Sequence, residues 1–146
     1  GLLVMGPPDE ANPSAMNNRT SGFRLFRENA GGKQRIKLNV GNGSGDNWFD
    51  GGSAADIDPS ISGWNHIAFT ISPDQATVYL NGEIVSQNNF PGIDWTGCDL
   101  LSVGSGAPRF AGWGHLSTSS LMDELRIFDK VLTQEEIQAI MAAENN

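Results

Sequence analysis

Hydrophobic and polar residues alternate with a period of two along most of this chain, the pattern of half-buried β-strands. The clearest run is residues 64–71 (WNHIAFTI), where three apolar side chains fall on one side of the predicted strand: Ile67, Phe69 and Ile71. The same pattern predicts further strands at residues 1–5, 22–27, 34–40, 76–80, 99–103 and 120–128.

Turn-forming residues separate these runs. Asn81-Gly82 is the strongest short hairpin signal, because both residues tolerate the positive φ of a tight two-residue loop. Such a loop predicts that Tyr79 lies opposite Ile84 and Val78 opposite Val85. Longer polar or Gly-rich stretches predict loops at residues 6–21, 41–62, 88–97 and 104–119.

One segment near the end of the chain has the periodicity of a helix. Thr133 and Glu136 have the spacing of a capping box. Ile137, Ile140 and Met141 then recur on one helical face. Many short strands at intervals of roughly 8–12 residues, followed by one short helix, predict an all-β sandwich. We expect a single domain over residues 1–146.

Charge and composition exclude several classes of partner. The net charge is −8, which argues against nucleic acid because phosphates require a basic surface. No apolar run approaches the length of a membrane span. Cys98 is the only cysteine, so an intrachain disulfide and a cysteine-based zinc site are excluded.

Three segments together resemble the laminin-G-like, concanavalin A-like lectin/glucanase superfamily: WNHIAFT (64–70), VYLNG (78–82) and LMDELRIFDKVLTQEEI (121–137). The resemblance extends from residue 22 to residue 142. It implies a jelly roll of two antiparallel sheets, an extracellular or cell-surface location, and binding of glycans or protein partners. The stretch GSGAPRFAGWGHL further resembles domains attached to surface glycan-handling proteins of gut-type bacteria.

Members of this family have additional strands before the one that matches residues 22–27. The resemblance therefore implies that this chain lacks its first strands. A strand-completing second polypeptide or self-association could supply them, because an open sheet edge favours pairing with another chain.

Aromatic and polar side chains crowd the predicted loops, where binding residues concentrate on a rigid scaffold. Aromatic faces stack on sugar rings, while Arg and His donate hydrogen bonds to hydroxyls. The predicted carbohydrate-binding residues are Trp48, Asp94, Trp95, Arg109, Trp113 and His115. The alternative for Trp113 is that it pins the long loop to the sandwich together with Phe110. Trp64 is expected to start a core strand and to be buried.

Asp123 is the candidate metal ligand. In the predicted strand 120–128 it shares an apolar row with Leu121, Leu125 and Ile127. A carboxylate there is costly unless it is ligated or hydrogen-bonded. The matching aspartate of the family often binds Ca²⁺, so the resemblance implies a structural calcium ion. The alternative is a carboxylate that accepts backbone N–H bonds.

No carboxylate pair has the arrangement of a related glucanase. Asp123 and Glu124 are adjacent, so they point to opposite faces of a strand. Together with this absence, the family resemblance implies a non-catalytic module of an extracellular or cell-surface protein that binds a polysaccharide or oligosaccharide.

Two alternatives remain open: a structural or adhesive domain that binds protein, and a partial glycoside hydrolase. The glycan-binding function predicts an exposed Trp in a pocket with convergent polar groups. The protein-binding function predicts an exposed apolar patch or open strand edge, with all four Trp buried. The hydrolase needs two carboxylates facing one cleft.

Overall fold

The computed structural model describes residues 1–117 and 119–144. Its strands are β1 (Leu3–Gly6), β2 (Phe23–Ala30), β3 (Lys33–Gly41), β4 (Asp46–Asp50), β5 (Asp56–Ile57), β6 (Ile67–Ile71), β7 (Gln75–Leu80), β8 (Glu83–Asn89) and β9 (Leu100–Val103), and its helix is α1 (Gln134–Glu144). The described helices lack the length and apolarity needed to cross a membrane.

The strands form two antiparallel sheets, which we call the large and the small sheet. The large sheet has the order β4-β3-β2-β1-β9, with β5 also paired to β3, and the small sheet has the order β6-β7-β8. Buried side chains of both sheets, such as Leu25, Leu38 and Val78, form one hydrophobic core between them. The all-β prediction of a two-sheet sandwich with a short C-terminal helix is confirmed.

Alternation along the strands gives the large sheet two different faces. Leu25 points into the core between the sheets, so its neighbour Phe26 points to the opposite side, which we call the outer face. Phe26 is nevertheless fully buried, because it packs with Val4 and with Phe110 from the loop after β9. A second, smaller core therefore lies on the outer face, under that loop.

The predicted hairpin is present, with one change of register. Asn81 and Gly82 have φ values of 53° and 79°, as a tight turn requires. Tyr79 pairs with Ile84 as predicted, but Val78 pairs with Ser86 rather than Val85, because the register shifts between Val78 and Tyr79.

The helix start is also confirmed. The Glu136 amide donates to the Thr133 hydroxyl at 3.2 Å, and the Thr133 amide donates to Glu136 Oε2 at 2.9 Å. Gln134 and Gln138 donate to the Gly82 carbonyl at 2.9 and 3.1 Å, so the helix lies against the β7–β8 turn.

The long loop predicted over residues 41–62 contains two strands, β4 and β5. Within β4, Trp48 is 40% exposed whereas Phe49 is buried in the core. These neighbours show the period-two alternation of a strand, although the many Gly and Asp residues around them indicated a loop.

Two further expectations are wrong. Residues 120–128 form no strand, because none of the strands in the described part of the chain pairs with them, and Leu121 is 83% exposed. Asp123 therefore does not lie in a buried apolar row. Trp64 lies outside the strand, since β6 begins only at Ile67, and it is 67% exposed.

Candidate functional site

The strand register brings polar and aromatic side chains together on the outer face, at the β4 end of the large sheet. Lys37 of β3 pairs with Asp50 of β4 on one side and with Phe26 of β2 on the other. Trp48 lies two residues before Asp50 and therefore points to the same face. Glu28, two residues after Phe26, shares this face as well.

Trp113 reaches this face from the loop at residues 104–117. The Gly106 amide donates to the His115 carbonyl at 2.6 Å, which closes the loop on itself. The Ala111 amide donates to the Met16 carbonyl at 3.2 Å, which ties it to the loop before β2. Phe110 is fully buried beneath. These contacts hold Trp113 in place, although it has a left-handed φ of 59°.

Trp48 and Trp113 form an aromatic pair, with ring centroids 6.2 Å apart and an angle of 25° between the ring planes. The buried Phe26 ring packs nearly perpendicular to Trp48, with centroids 5.9 Å apart, and Phe110 packs in the same way against Trp113, with centroids 5.7 Å apart. Both indoles remain accessible to solvent, Trp113 at 55%. The buried core beneath thus fixes a largely exposed aromatic surface.

Arg19 lies against this pair. Its guanidinium carbon is 4.7 Å from the Trp113 ring centroid and 6.0 Å from that of Trp48. Arg19 also forms an ion pair with Asp46 at 2.9 Å. A cation over an aromatic face stabilises the ring orientation, so Arg19 and Asp46 brace the pair.

A shallow cavity of about 440 Å³ opens beside the two indoles, lined by Glu28, Lys37, Trp48, Asp50 and Trp113. Its volume lies at the lower end of the range of ligand sites, roughly 300–1,000 Å³. We call it the outer-face cavity. It combines aromatic surface with both hydrogen-bond donors and acceptors.

Lys37 connects the two carboxylates of the cavity. Its Nζ lies 2.9 Å from Glu28 Oε2 and 3.0 Å from Asp50 Oδ2. The hydrogen bond to Glu28 raises the pKa of Lys37 and outweighs partial burial, and the bond to Asp50 adds to the rise. Burial alone would raise the pKa of Asp50, but hydrogen bonds from Lys37 and the Gly52 amide hold it below its usual value. Lys37 and Asp50 are therefore charged at neutral pH.

His115 lies beneath the surface rather than in the cavity lining. It is buried and stacks on Phe110, with centroids 4.7 Å apart and planes within 11°. Burial lowers the pKa of His115, which keeps the imidazole neutral at pH 7. His115 is therefore part of the second, smaller core on the outer face and not of the cavity lining.

The other predicted binding residues lie elsewhere on the molecule. Arg109 forms a two-point ion pair with Asp99, its Nε donating to Oδ1 at 2.8 Å. Asp94 accepts hydrogen bonds from Ser21 and from Thr96, the latter at 2.8 Å.

Trp95 contacts Phe23, a residue of the core between the sheets, edge-on at 6.2 Å. Of the six predicted residues, the structure brings only Trp48 and Trp113 together in one cavity, and contact of the others with a ligand stays a prediction.

Three residues of the cavity lining were not predicted as binding residues from the sequence: Glu28, Lys37 and Asp50. The signal for Lys37 lies in the alternation of residues 34–40, where it falls on the face opposite the apolar Ile36 and Leu38. The signal for Asp50 was its spacing of two from Trp48, which the loop assignment of residues 41–62 concealed.

Calcium at Asp123 stays a prediction. Its Oδ1 accepts a hydrogen bond from the Glu124 amide at 2.9 Å, on an exposed segment. Across residues 1–117 and 119–144, no three His, Cys, Asp or Glu side chains converge as metal ligands. No function is therefore assigned through a metal.

Comparison with known proteins bears on the fold. A laminin-G-type family model, described as the concanavalin A-like lectin/glucanases superfamily, matches residues 6–138. Among solved structures the chain is similar to the CBM40 of the Ruminococcus gnavus IT-sialidase, with 19% identity and a TM-score of 0.67, over 96% of this chain and 72% of that one.

It is also similar to an S-layer domain-containing protein from Clostridium thermocellum, with 24% identity and a TM-score of 0.43, over 94% of this chain and 63% of that one. The comparison with curated proteins gave no match. The family model and the first structure agree with the two-sheet fold described above.

Proposed function

Because the chain belongs to the concanavalin A-like lectin/glucanase superfamily, we propose that it is a non-catalytic carbohydrate-binding module of an extracellular or cell-surface protein. The observation that carries this proposal is the exposed pair Trp48 and Trp113 beside the charged lining of the outer-face cavity. The similar structure from Ruminococcus gnavus is named a CBM40 of a sialidase, and this name supports a carbohydrate as the class of ligand.

The cavity offers both kinds of contact that a sugar requires. The C–H face of a pyranose ring packs against aromatic rings, here the indoles of Trp48 and Trp113. Its hydroxyls donate to carboxylates, here Glu28 and Asp50, and accept from the ammonium of Lys37. Because Phe26 and Phe110 already hold the indoles in place, little ordering of side chains opposes binding.

The same cavity argues against hydrolysis. Glu28 and Asp50 contact one ammonium nitrogen, at 2.9 and 3.0 Å, so two carboxylates face one cavity as they do in a glycosidase. A glycosidase, however, needs one of them as a general acid with a raised pKa. The lowered pKa of Asp50 does not suit that role, and Lys37 pairs with both carboxylates, so its ammonium lies between them where the scissile bond would have to pass. This geometry supports binding without catalysis.

A glycan array on the purified chain, followed by titration of any hit, tests the proposal. Replacing Trp113 with Ala should weaken glycan binding by about tenfold or more, as expected for a central aromatic contact. Trp64→Ala is the matched comparison, because it removes an indole of similar exposure from a second cavity, lined in part by Lys33, Asp56 and Asp58, that lies apart from the outer-face cavity. Equal binding by both variants and the original protein would exclude the outer-face cavity as the site.

One observation favours a second role in binding protein. Residues 121–128 are exposed, and their apolar side chains include Leu121 and Ile127, the latter 68% exposed. Strand β9 ends the large sheet, and none of the described strands pairs with its outer edge. The chain thus presents both an exposed segment whose sequence alternates as a strand does and a sheet edge without a partner among the described strands, which together favour pairing between two copies.

We therefore propose self-association through residues 121–128. Light scattering after size exclusion should show a mass that rises with protein concentration. The double variant Leu121→Asp, Ile127→Asp should remain monomeric and folded, because both side chains are already exposed in the single chain. Ala11→Asp, which adds a charge at an exposed position elsewhere, should behave as the original protein. A monomer at every concentration would contradict the proposal.

A further inference from the structure

Resting on the proposed function, we infer that the outer-face cavity binds uncharged sugars and rejects sugars that carry a carboxylate. The inference concerns the charge of the ligand, which the fold and the family leave undetermined. It follows from how the charged side chains around Trp48 and Trp113 are already paired.

The charged lining of the cavity consists of two carboxylates and one ammonium. Lys37, the only cation in that lining, contacts both Glu28 and Asp50, at 2.9 and 3.0 Å. An incoming carboxylate would have to break one of these ion pairs or lie beside a carboxylate with no cation of its own. Like charges placed together in this way weaken binding strongly.

Arg19 does not supply the missing positive charge. Its guanidinium contacts both indoles, but it is engaged by Asp46 at 2.9 Å and does not line the cavity. Recognition of a sugar carboxylate ordinarily uses an Arg that forms two parallel hydrogen bonds with it. Arg19 lies over the Trp113 ring instead, where it supports the indole.

The carboxylates suit the hydroxyls of a neutral sugar. A carboxylate has about four acceptor positions, and Lys37 together with the Gly52 amide occupies only some of those on Glu28 and Asp50. Hydroxyl groups can donate to the remaining positions while Lys37 keeps both ion pairs. The net charge of −8 on the whole chain disfavours anionic ligands in the same direction.

Matched pairs of immobilised sugars test this inference directly. Each pair compares an uncharged sugar with a counterpart that carries a carboxylate: glucose with glucuronate, galactose with galacturonate, and lactose with sialyllactose. The inference predicts that, in any pair that binds, the acidic counterpart binds at least about tenfold more weakly than the uncharged member. Binding to the uncharged member should change little between about 0.05 M and 0.5 M salt, because no ion pair forms with the ligand.

The outcomes separate the inference from the proposed function. Binding to acidic members alone would overturn the inference and leave the carbohydrate-binding function intact. A folded protein that binds no member and no other array glycan would overturn both.

A double variant tests the role of the two carboxylates. Glu28→Gln, Asp50→Asn removes two negative charges while keeping side-chain shape, and it frees Lys37 to pair with a ligand. The ratio of acidic to uncharged binding should rise at least about tenfold. Thermal melting confirms that the variant is folded, and an unchanged ratio in the folded variant would contradict the inference.

Discussion

Trp113 has a backbone conformation that side chains as large as indole rarely adopt. Its φ of 59° lies in the left-handed region, and such residues persist where the surrounding structure imposes them. A residue that only fastened its loop would be expected to be buried, as Phe110 is. Trp113 is instead more than half exposed beside Trp48. The strained backbone is thus combined with a ring presented to solvent, which fits a ligand contact.

His115 should make the stability of the protein depend on pH. Because its pKa is lower in the folded chain than in the unfolded one, its contribution to stability is complete above about pH 6.5 and is lost as the pH falls through the folded value. We expect the melting temperature to fall between pH 7 and pH 5, by roughly 2–4 °C for each kcal/mol lost.

The variant His115→Phe tests this assignment, because it keeps an aromatic ring against Phe110 and cannot titrate. Its melting temperature should fall less over the same pH range. The lowered pKa values of Asp50 and Asp56 place their titration below this range, and the Gly1 amino group, whose pKa is also lowered by burial, titrates in both proteins and is therefore common to the comparison. An equal slope in both proteins would exclude His115 as the cause.

At the scale of single residues, the sequence identified aromatic side chains but not their burial. Trp48 and Trp113 were predicted as sugar contacts and line one cavity. His115 was grouped with them because it lies in the same loop, and its burial depends on Phe26 from a distant strand. Trp64 was placed in the core because its strand was predicted to begin three residues too early.

The loop at residues 104–117 contributes Trp113 to the site. The close packing that holds this loop can be tested at Gly106. A side chain at this position would meet the backbone carbonyl oxygens of Phe110 and His115. Gly106→Ala should therefore destabilise the fold by about 1–3 kcal/mol, the usual cost of overpacking. It should also weaken glycan binding, because the displaced loop carries Trp113.

Gly45→Ala is the control for this variant, since nothing lies within 4 Å of a side chain there and its φ is not left-handed. Thermal melting and glycan titration of both variants provide the two measurements. If Gly106→Ala has the same melting temperature and glycan affinity as Gly45→Ala, close packing around Gly106 does not hold the loop in place.

At the scale of elements, alternation predicted strands well only where a partner strand exists. Residues 120–128 alternate clearly, yet within the described chain they pair with no strand. Residues 46–50 alternate weakly among glycines, yet they form β4 because the edge of β3 is available. A strand requires a neighbour to satisfy its backbone groups, and the local sequence does not show whether one is present.

At the scale of the whole molecule, the all-β sandwich could be predicted because turn signals and apolar alternation recur throughout the chain. The site could not be assembled in the same way. Trp48 and Trp113 are far apart in sequence and meet only because β4 forms one end of the large sheet and the loop after β9 folds over its outer face. Lys37 lies beside these two indoles because of the register between β3 and β4, and this register could not be predicted while β4 was assigned to a loop.

An NMR titration that follows the indole N–H signals of the four Trp residues, as a glycan ligand is added, tests the outer-face site most directly. The cavity geometry predicts that the signals of Trp48 and Trp113 move together and saturate, while those of Trp64 and Trp95 stay in place. Saturable shifts at Trp64 or Trp95, with Trp48 and Trp113 unchanged, would contradict a binding site on the outer face.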